Sequence, residues 1–165
     1  MDRPKIKVPL QQLDIILELI TISLLLTTCA YTIVQYSNLP ETIPTHFNAA
    51  GEADDFGHKS SIFIIPGIGI ALYLLLFILN KYPHKHNYMV NITEENALKN
   101  YRFSNRVLRF VNLFCVALMA YITFIIVKSS EGQEFAIGQW FLPVIIGSSV
   151  VLPIVLFIYM RKLNT

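Results

Sequence analysis

Four side chains of the kinds that hold metals or move protons fall close together: His46, Asp54, Asp55 and His58. Zinc accepts imidazole nitrogen and carboxylate oxygen, so these four are the metal candidates of the chain. No HExxH and no pair at helical spacing accompanies them. The competing expectation is structural: His46 hydrogen-bonds its own loop, and Asp54 or Asp55 pairs with Lys59. Ser60 and Ser61 follow His58, but adjacency in sequence is not a nucleophile held by its base. A non-enzymatic protein without a cofactor is expected. A second set lies in apolar surroundings. Asp14 and Glu18 stand about one helical turn apart in one apolar run, and Arg106 and Arg109 enter another at similar depth. An acid inside a membrane needs a partner or water. Glu18 or Asp14 is therefore expected to pair with Arg109 or Arg106, either to lock two helices together or to serve a proton or ion path. Cys29 and Cys115 lie within apolar runs without any CxxC, which reads as buried free thiols. His84 and His86 lack further ligands close by.

The elements that must position these groups follow from composition. Of the 165 residues, 54% are hydrophobic and 15% charged, against about 25% charged in a typical soluble domain. The charges are bunched, and a net charge of +2 gives no reason to expect a nucleic-acid partner. Membrane lipid is the expected surrounding. Four runs reach the roughly 20 apolar residues needed to cross a bilayer: about 13–36, 62–80, 107–127 and 137–160. In lipid each must be a helix, because backbone polar groups have to pair within their own segment. The expected fold is all-α, a single four-helix transmembrane bundle spanning 1–165. Asp14 and Glu18 inside the first run, its length, and Thr28-Cys29-Ala30 as a poor cleavage site all speak against a signal peptide. Asp14, Glu18, Thr21, Thr28 and Thr32 share one helical face, which should turn into the bundle. Gly67 and Ala71 predict close helix approach, and Pro153 predicts a kink. Thr93, followed by Glu94 and Glu95, predicts the start of a polar helix that runs into the third span.

Orientation follows from Lys and Arg. Arg3, Lys5 and Lys7 precede the first span; Lys81, Lys85, Lys99, Arg102, Arg106 and Arg109 lie between or just within the second and third; Arg161 and Lys162 end the fourth. Only Lys59 and Lys128 fall on the other side. Both termini are therefore expected in the cytoplasm. The opposite loops carry Glu41, Glu52, Asp54, Asp55, Glu131 and Glu134, which makes the outer face anionic. Trp140, Tyr36, Tyr82 and Tyr159 suit interfacial positions.

The first outer loop, Leu39 to Lys59, is not linker-like. Pro40 and Pro44 stiffen its entry. Ile43 to Phe47 and Glu52 to Phe56 predict two short strands around a turn at Asn48 to Gly51, with Gly51 and Gly57 at positive φ. The run Leu-Pro-x-x-Ile-Pro-x-His-Phe-Asn-x-x-Gly-x-x-Asp, with Gly57 and Lys59 beyond it, resembles the signature of the bacterial membrane domain of unknown function 1648, the N-terminal domain of SdpI-type immunity proteins. The resemblance covers about residues 13–80. It implies Pro40, Pro44, His46, Phe47, Asn48, Gly51, Asp54 or Asp55, Gly57 and Lys59 as signature positions, and a protein of the bacterial cell membrane. SdpI-type proteins are longer and continue into a second membrane domain that is not recognisable in this sequence. Immunity to, or sensing of, an extracellular membrane-active peptide or toxin is the expected function, with a membrane protein as a further expected partner. The alternative is a small transporter or transporter subunit that uses the polar face of the first helix.

Overall fold

The structure is a computed structural model that describes residues 3–131 and 137–164. Glu134, counted above among the outer acids, lies outside them. Four helices carry the chain: α1 Gln12–Tyr36, α2 Ile64–Leu79, α3 Glu94–Ser130 and α4 Phe141–Leu163. Between α1 and α2 stands an antiparallel hairpin, β1 Thr42–Phe47 and β2 Ala53–His58, joined to α2 by a 3-10 turn at Lys59–Phe63. α1, α3, α4 and α2 taken with its 3-10 turn (Lys59–Leu79) are each long and apolar enough to cross a membrane, which marks a multi-pass membrane protein.

The third run is longer than its apolar part. α3 is a 37-residue helix, or about 55 Å at 1.5 Å per residue, so its first turns stand clear of a hydrocarbon core of roughly 30 Å. The Thr93 backbone N–H donates to Asn96 Oδ1 at 3.0 Å, which closes the expected N-cap. α4 begins later than the apolar pattern suggested, because Gly138 at φ 90° turns the chain before it. Pro143 then falls in its first turn, where a missing N–H costs nothing. α4 runs on through Pro153 as one helix.

α3 is the central helix, with α1 and α2 packed against it. The buried stripe of α1 is Asp14, Leu17, Thr21, Leu25, Thr28 and Thr32, the expected polar face turned inward. Leu25, Tyr73 and Val116 form the contact between α1, α2 and α3. The close approach predicted for Gly67 and Ala71 does not occur. A Cβ at Gly67 would meet nothing within 4 Å, whereas one at Gly69 would lie 3.4 Å from Leu25 and 3.6 Å from Met119. Gly69 is the small residue turned to the bundle. α4 lies at the edge, and none of its described residues is buried. It is held at its two ends. Asn164 and Asn100 exchange amide hydrogen bonds of 3.0 Å beside a Phe103–Tyr159 stack. At the other end Tyr121 Oη donates to the Ile137 carbonyl at 2.7 Å.

The end of the bundle opposite the hairpin is closed by the extended residues 3–11. Arg3 donates to the carbonyls of His84 and His86 and lies over the Tyr88 ring, and Tyr101 Oη donates to the Pro4 carbonyl at 2.9 Å. His86 is buried here. Its Nε2–H donates to the Leu79 carbonyl at 2.9 Å, and its Nδ1 meets Ser104 Oγ at 2.8 Å. Burial holds its pKa below the ordinary value, opposed by the Leu79 carbonyl and aided by the nearby His84. Burial likewise pushes Tyr88 up to about 12. The His86 imidazole is committed to this packing through both of its nitrogens.

Candidate functional site

The hairpin is a plug as well as a loop. Leu39 and Ile43, the latter wholly buried, pack with Ile62, Ile126 and Val127 and so fasten β1 to the ends of α2 and α3. Pro44 is buried beside Ile43, and Phe47 leans on the same cluster. The strands pair Thr42 with His58 and Ile43 with Gly57, with irregular register around His46. Asn48 builds the turn. Its Oδ1 accepts from the backbone N–H groups of Ala50 at 2.9 Å and Glu52 at 3.1 Å, and its carbonyl accepts from Gly51 N–H at 2.8 Å. Gly51 has φ 84°, a conformation that costs side-chain-bearing residues. Its carbonyl accepts from Ile137 N–H at 2.9 Å, and a Cβ there would stand 2.9 Å from the Gly138 nitrogen. The tip of the hairpin is thus tied to the chain entering α4. Gly57 is not at positive φ, contrary to expectation; a Cβ there would meet Thr45 Cγ2 at 2.9 Å, so the glycine leaves room for a cross-strand neighbour.

The charged residues of the loop sort differently from the sequence expectation. Lys59 Nζ bonds Glu41 at 2.9 Å, not Asp54 or Asp55, and lies over the Tyr36 ring. The Lys59 ammonium holds the Glu41 carboxyl below its ordinary pKa, and His58 adds to this. His46 Nδ1 meets Asp54 Oδ1 at 2.6 Å on an exposed surface. Asp55 accepts from the adjacent Phe56 N–H. His58 turns to Ser60 and, at 3.3 Å, to Glu41. His46 with Asp54 and His58 with Glu41 are thus two separate pairs. Among the described residues no group of three or more His, Cys, Asp or Glu is placed to hold a metal ion. Pro40 is exposed at the entry. What remains open at the tip is a cavity of about 250 Å³ lined by His46, Phe47, Asn48, Gly51, Phe141 and Leu142 among others. Phe141 and Leu142 carry no signal in the sequence, because the Gly51–Ile137 bond that draws their segment to the hairpin joins residues far apart in the chain.

At the other end α1 and α3 meet through charge. Arg106 Nε donates to Asp14 Oδ1 at 3.2 Å and its guanidinium also to Gln11. Arg109 reaches Asp14 at 3.8 Å and Glu18 at 3.6 Å. These two contacts are Coulombic, and Arg109 Nε has no hydrogen-bond partner among the described residues. Tyr73 Oη donates to Glu18 Oε1 at 2.9 Å, which adds α2 to the cluster. Thr21, Thr28 and Thr32 donate to carbonyls four residues back in their own helix. The polar face of α1 is therefore largely satisfied from within.

Residues 23–70 match the family model described as Domain of unknown function (DUF1648). That segment runs from the middle of α1 through the whole hairpin into α2, a shorter stretch than the resemblance in the sequence suggested. The DUF1648 segment thus contains the hairpin and its helical supports but not the α3–α4 half. An uncharacterized protein of Archaeoglobus fulgidus is 36% identical over 115 residues, covering 63% of this chain and 61% of that one. The chain therefore spans under two thirds of that relative's length. No solved structure matches.

Proposed function

We propose that this is a non-enzymatic protein of the SdpI-like type in the bacterial cell membrane, with its termini in the cytoplasm and its hairpin outside, where it meets a membrane-active peptide or toxin. The observation that carries this reading is the cavity between the hairpin tip and the start of α4. It is concave and mostly apolar, with His46 and Asn48 as its polar side chains, and it stands on a cap that is already ordered by the Ile43 cluster and the Asn48 turn, so little entropy is lost on binding. The same hairpin exposes Glu52, Asp54 and Asp55, an anionic face that favours a cationic peptide.

The transporter alternative would use Asp14 and Glu18. It is the weaker reading, because both acids already have basic or hydroxyl partners and the threonines beyond them are bonded to their own helix. Cells deleted for the gene are expected to become more sensitive to one or more of a panel of cationic membrane-active peptides. The wild-type gene restores resistance, and a Leu142→Ser, His46→Ala variant made at the same level does not. Unchanged sensitivity across the panel rejects the reading. Loss of an ion-linked phenotype in Glu18→Gln alone would move the choice to transport.

A further inference from the structure

Beneath the tail that closes the end opposite the hairpin lies a second cavity, of about 370 Å³, between the extended tail, the end of α2 and the middle of α3. Its wall includes Lys7 from the tail, Phe77, Asn80 and Lys81 from α2 and its C-terminal turn, and Asn105 and Arg109 from α3. The charges there do not cancel. Arg106 and Arg109 are balanced by Asp14 and Glu18. Lys7 and Lys81 have no carboxylate partner among the described residues; Lys81 Nζ lies instead over the Phe77 ring at 4.8 Å. Two positive charges are left over at the mouth.

The polar wall is also incomplete. Asn80 is 8% exposed and Asn105 6%, and the amide oxygen of each has no hydrogen-bond partner among the described residues. A buried acceptor left unpaired carries the full penalty of its lost hydration, so both amides favour a guest that brings hydrogen-bond donors. The remaining wall is apolar, with Ile6, Val8 and Leu10 on the tail side, and next to it α1 and α2 expose Leu13 and Ile78. A free anion gains nothing from such a wall; an amphiphile does.

We propose that this cavity takes the headgroup of an anionic phospholipid that carries hydroxyl groups. Its phosphate lies between Lys7 and Lys81, its hydroxyls reach Asn80 and Asn105, and its acyl chains leave along the apolar faces of α1 and α2. The proposal is independent of the peptide reading, since it concerns the opposite end of the bundle. The full chain in an uncharged detergent, titrated with phosphatidylglycerol, phosphatidylcholine or inorganic phosphate while thermal unfolding is followed, provides the test. Phosphatidylglycerol is expected to raise the unfolding temperature. Its apparent affinity should fall about 30-fold in Lys7→Gln, Lys81→Gln, from about 1 kcal/mol per basic residue at a membrane surface and 1.4 kcal/mol per decade. Lys7→Arg, Lys81→Arg should keep it. Lys5→Gln, Lys85→Gln, which removes the same charge elsewhere on this end, should also keep it. Both lysines are exposed, so the lipid-free unfolding temperature should stay near wild type. Equal loss in the two glutamine variants, or in neither, overturns the site. Equal stabilisation by phosphatidylcholine overturns the anion, and equal stabilisation by inorganic phosphate overturns the lipid.

Discussion

Arg109→Met is expected to lower the stability of the detergent-solubilised protein by about 3–5 kcal/mol, the usual cost of removing one partner from a buried ion pair. The guanidinium side chain is 10% exposed, and it faces Asp14 at 3.8 Å and Glu18 at 3.6 Å. Asp14 keeps Arg106 and the Gln11 N–H when Arg109 is gone. Among the described residues Glu18 keeps only the Tyr73 hydroxyl, so its charge is the one left stranded. The double variant Glu18→Gln, Arg109→Met should therefore recover most of the loss, because a neutral amide can accept the Tyr73 hydrogen bond without needing a cation. Thermal and denaturant unfolding of the four proteins of this cycle give the coupling directly. If the double variant is as unstable as Arg109→Met, the two side chains are not coupled, and the cost comes from lost packing alone.

Ile43→Ala should be nearly as damaging, by about 2–5 kcal/mol, while Ile43→Val should cost only about 0.5–1.5 kcal/mol. Ile43 is 0% exposed and packs with Leu39, Ile62, Ile126 and Val127, so no neighbouring solvent can fill the space that is left. The loss should appear first in the hairpin, because this cluster is what holds β1 to the helices. Faster amide exchange over residues 42–58, with little change in the middle of α3, is the expected pattern. Uniform loosening of the whole chain would show instead that the hairpin is not a separately fastened plug.

The spans are legible in the sequence because lipid leaves a backbone no alternative to a helix, and because four long apolar runs have few ways to be arranged. The Asp14, Glu18, Arg106 and Arg109 cluster was legible for a similar reason: charges at matching depth on two helices have little else to meet. The hairpin was legible from its prolines and its Asn48–Gly51 turn. Closeness in sequence points Lys59 to Asp54 or Asp55, but the strand register gives it another partner. Counting back along both strands from the turn places Glu41 opposite Lys59, and the Lys59 N–H to Glu41 carbonyl bond of 2.9 Å continues that register. Gly67, Gly69 and Ala71 look alike in the sequence, because small residues mark a helix face only when the rotation of the helix is known. The docking of residues 3–11, the burial of His86 and the approach of Phe141 and Leu142 to the hairpin had no local signal. Each depends on contacts between distant segments, and no periodicity in the sequence reports those.

Everything rests on the helices crossing a bilayer with the hairpin at one face and both ends of the chain at the other. A chain with Cys29 and Cys115 replaced by serine, carrying one new cysteine at Ala49, Lys5 or Asn164, can be treated in sealed cells with a membrane-impermeant maleimide. Label at position 49 in intact cells, and at 5 and 164 only after lysis, is the expected result. Label at 5 or 164 in intact cells, or at all three positions from one side, would contradict it.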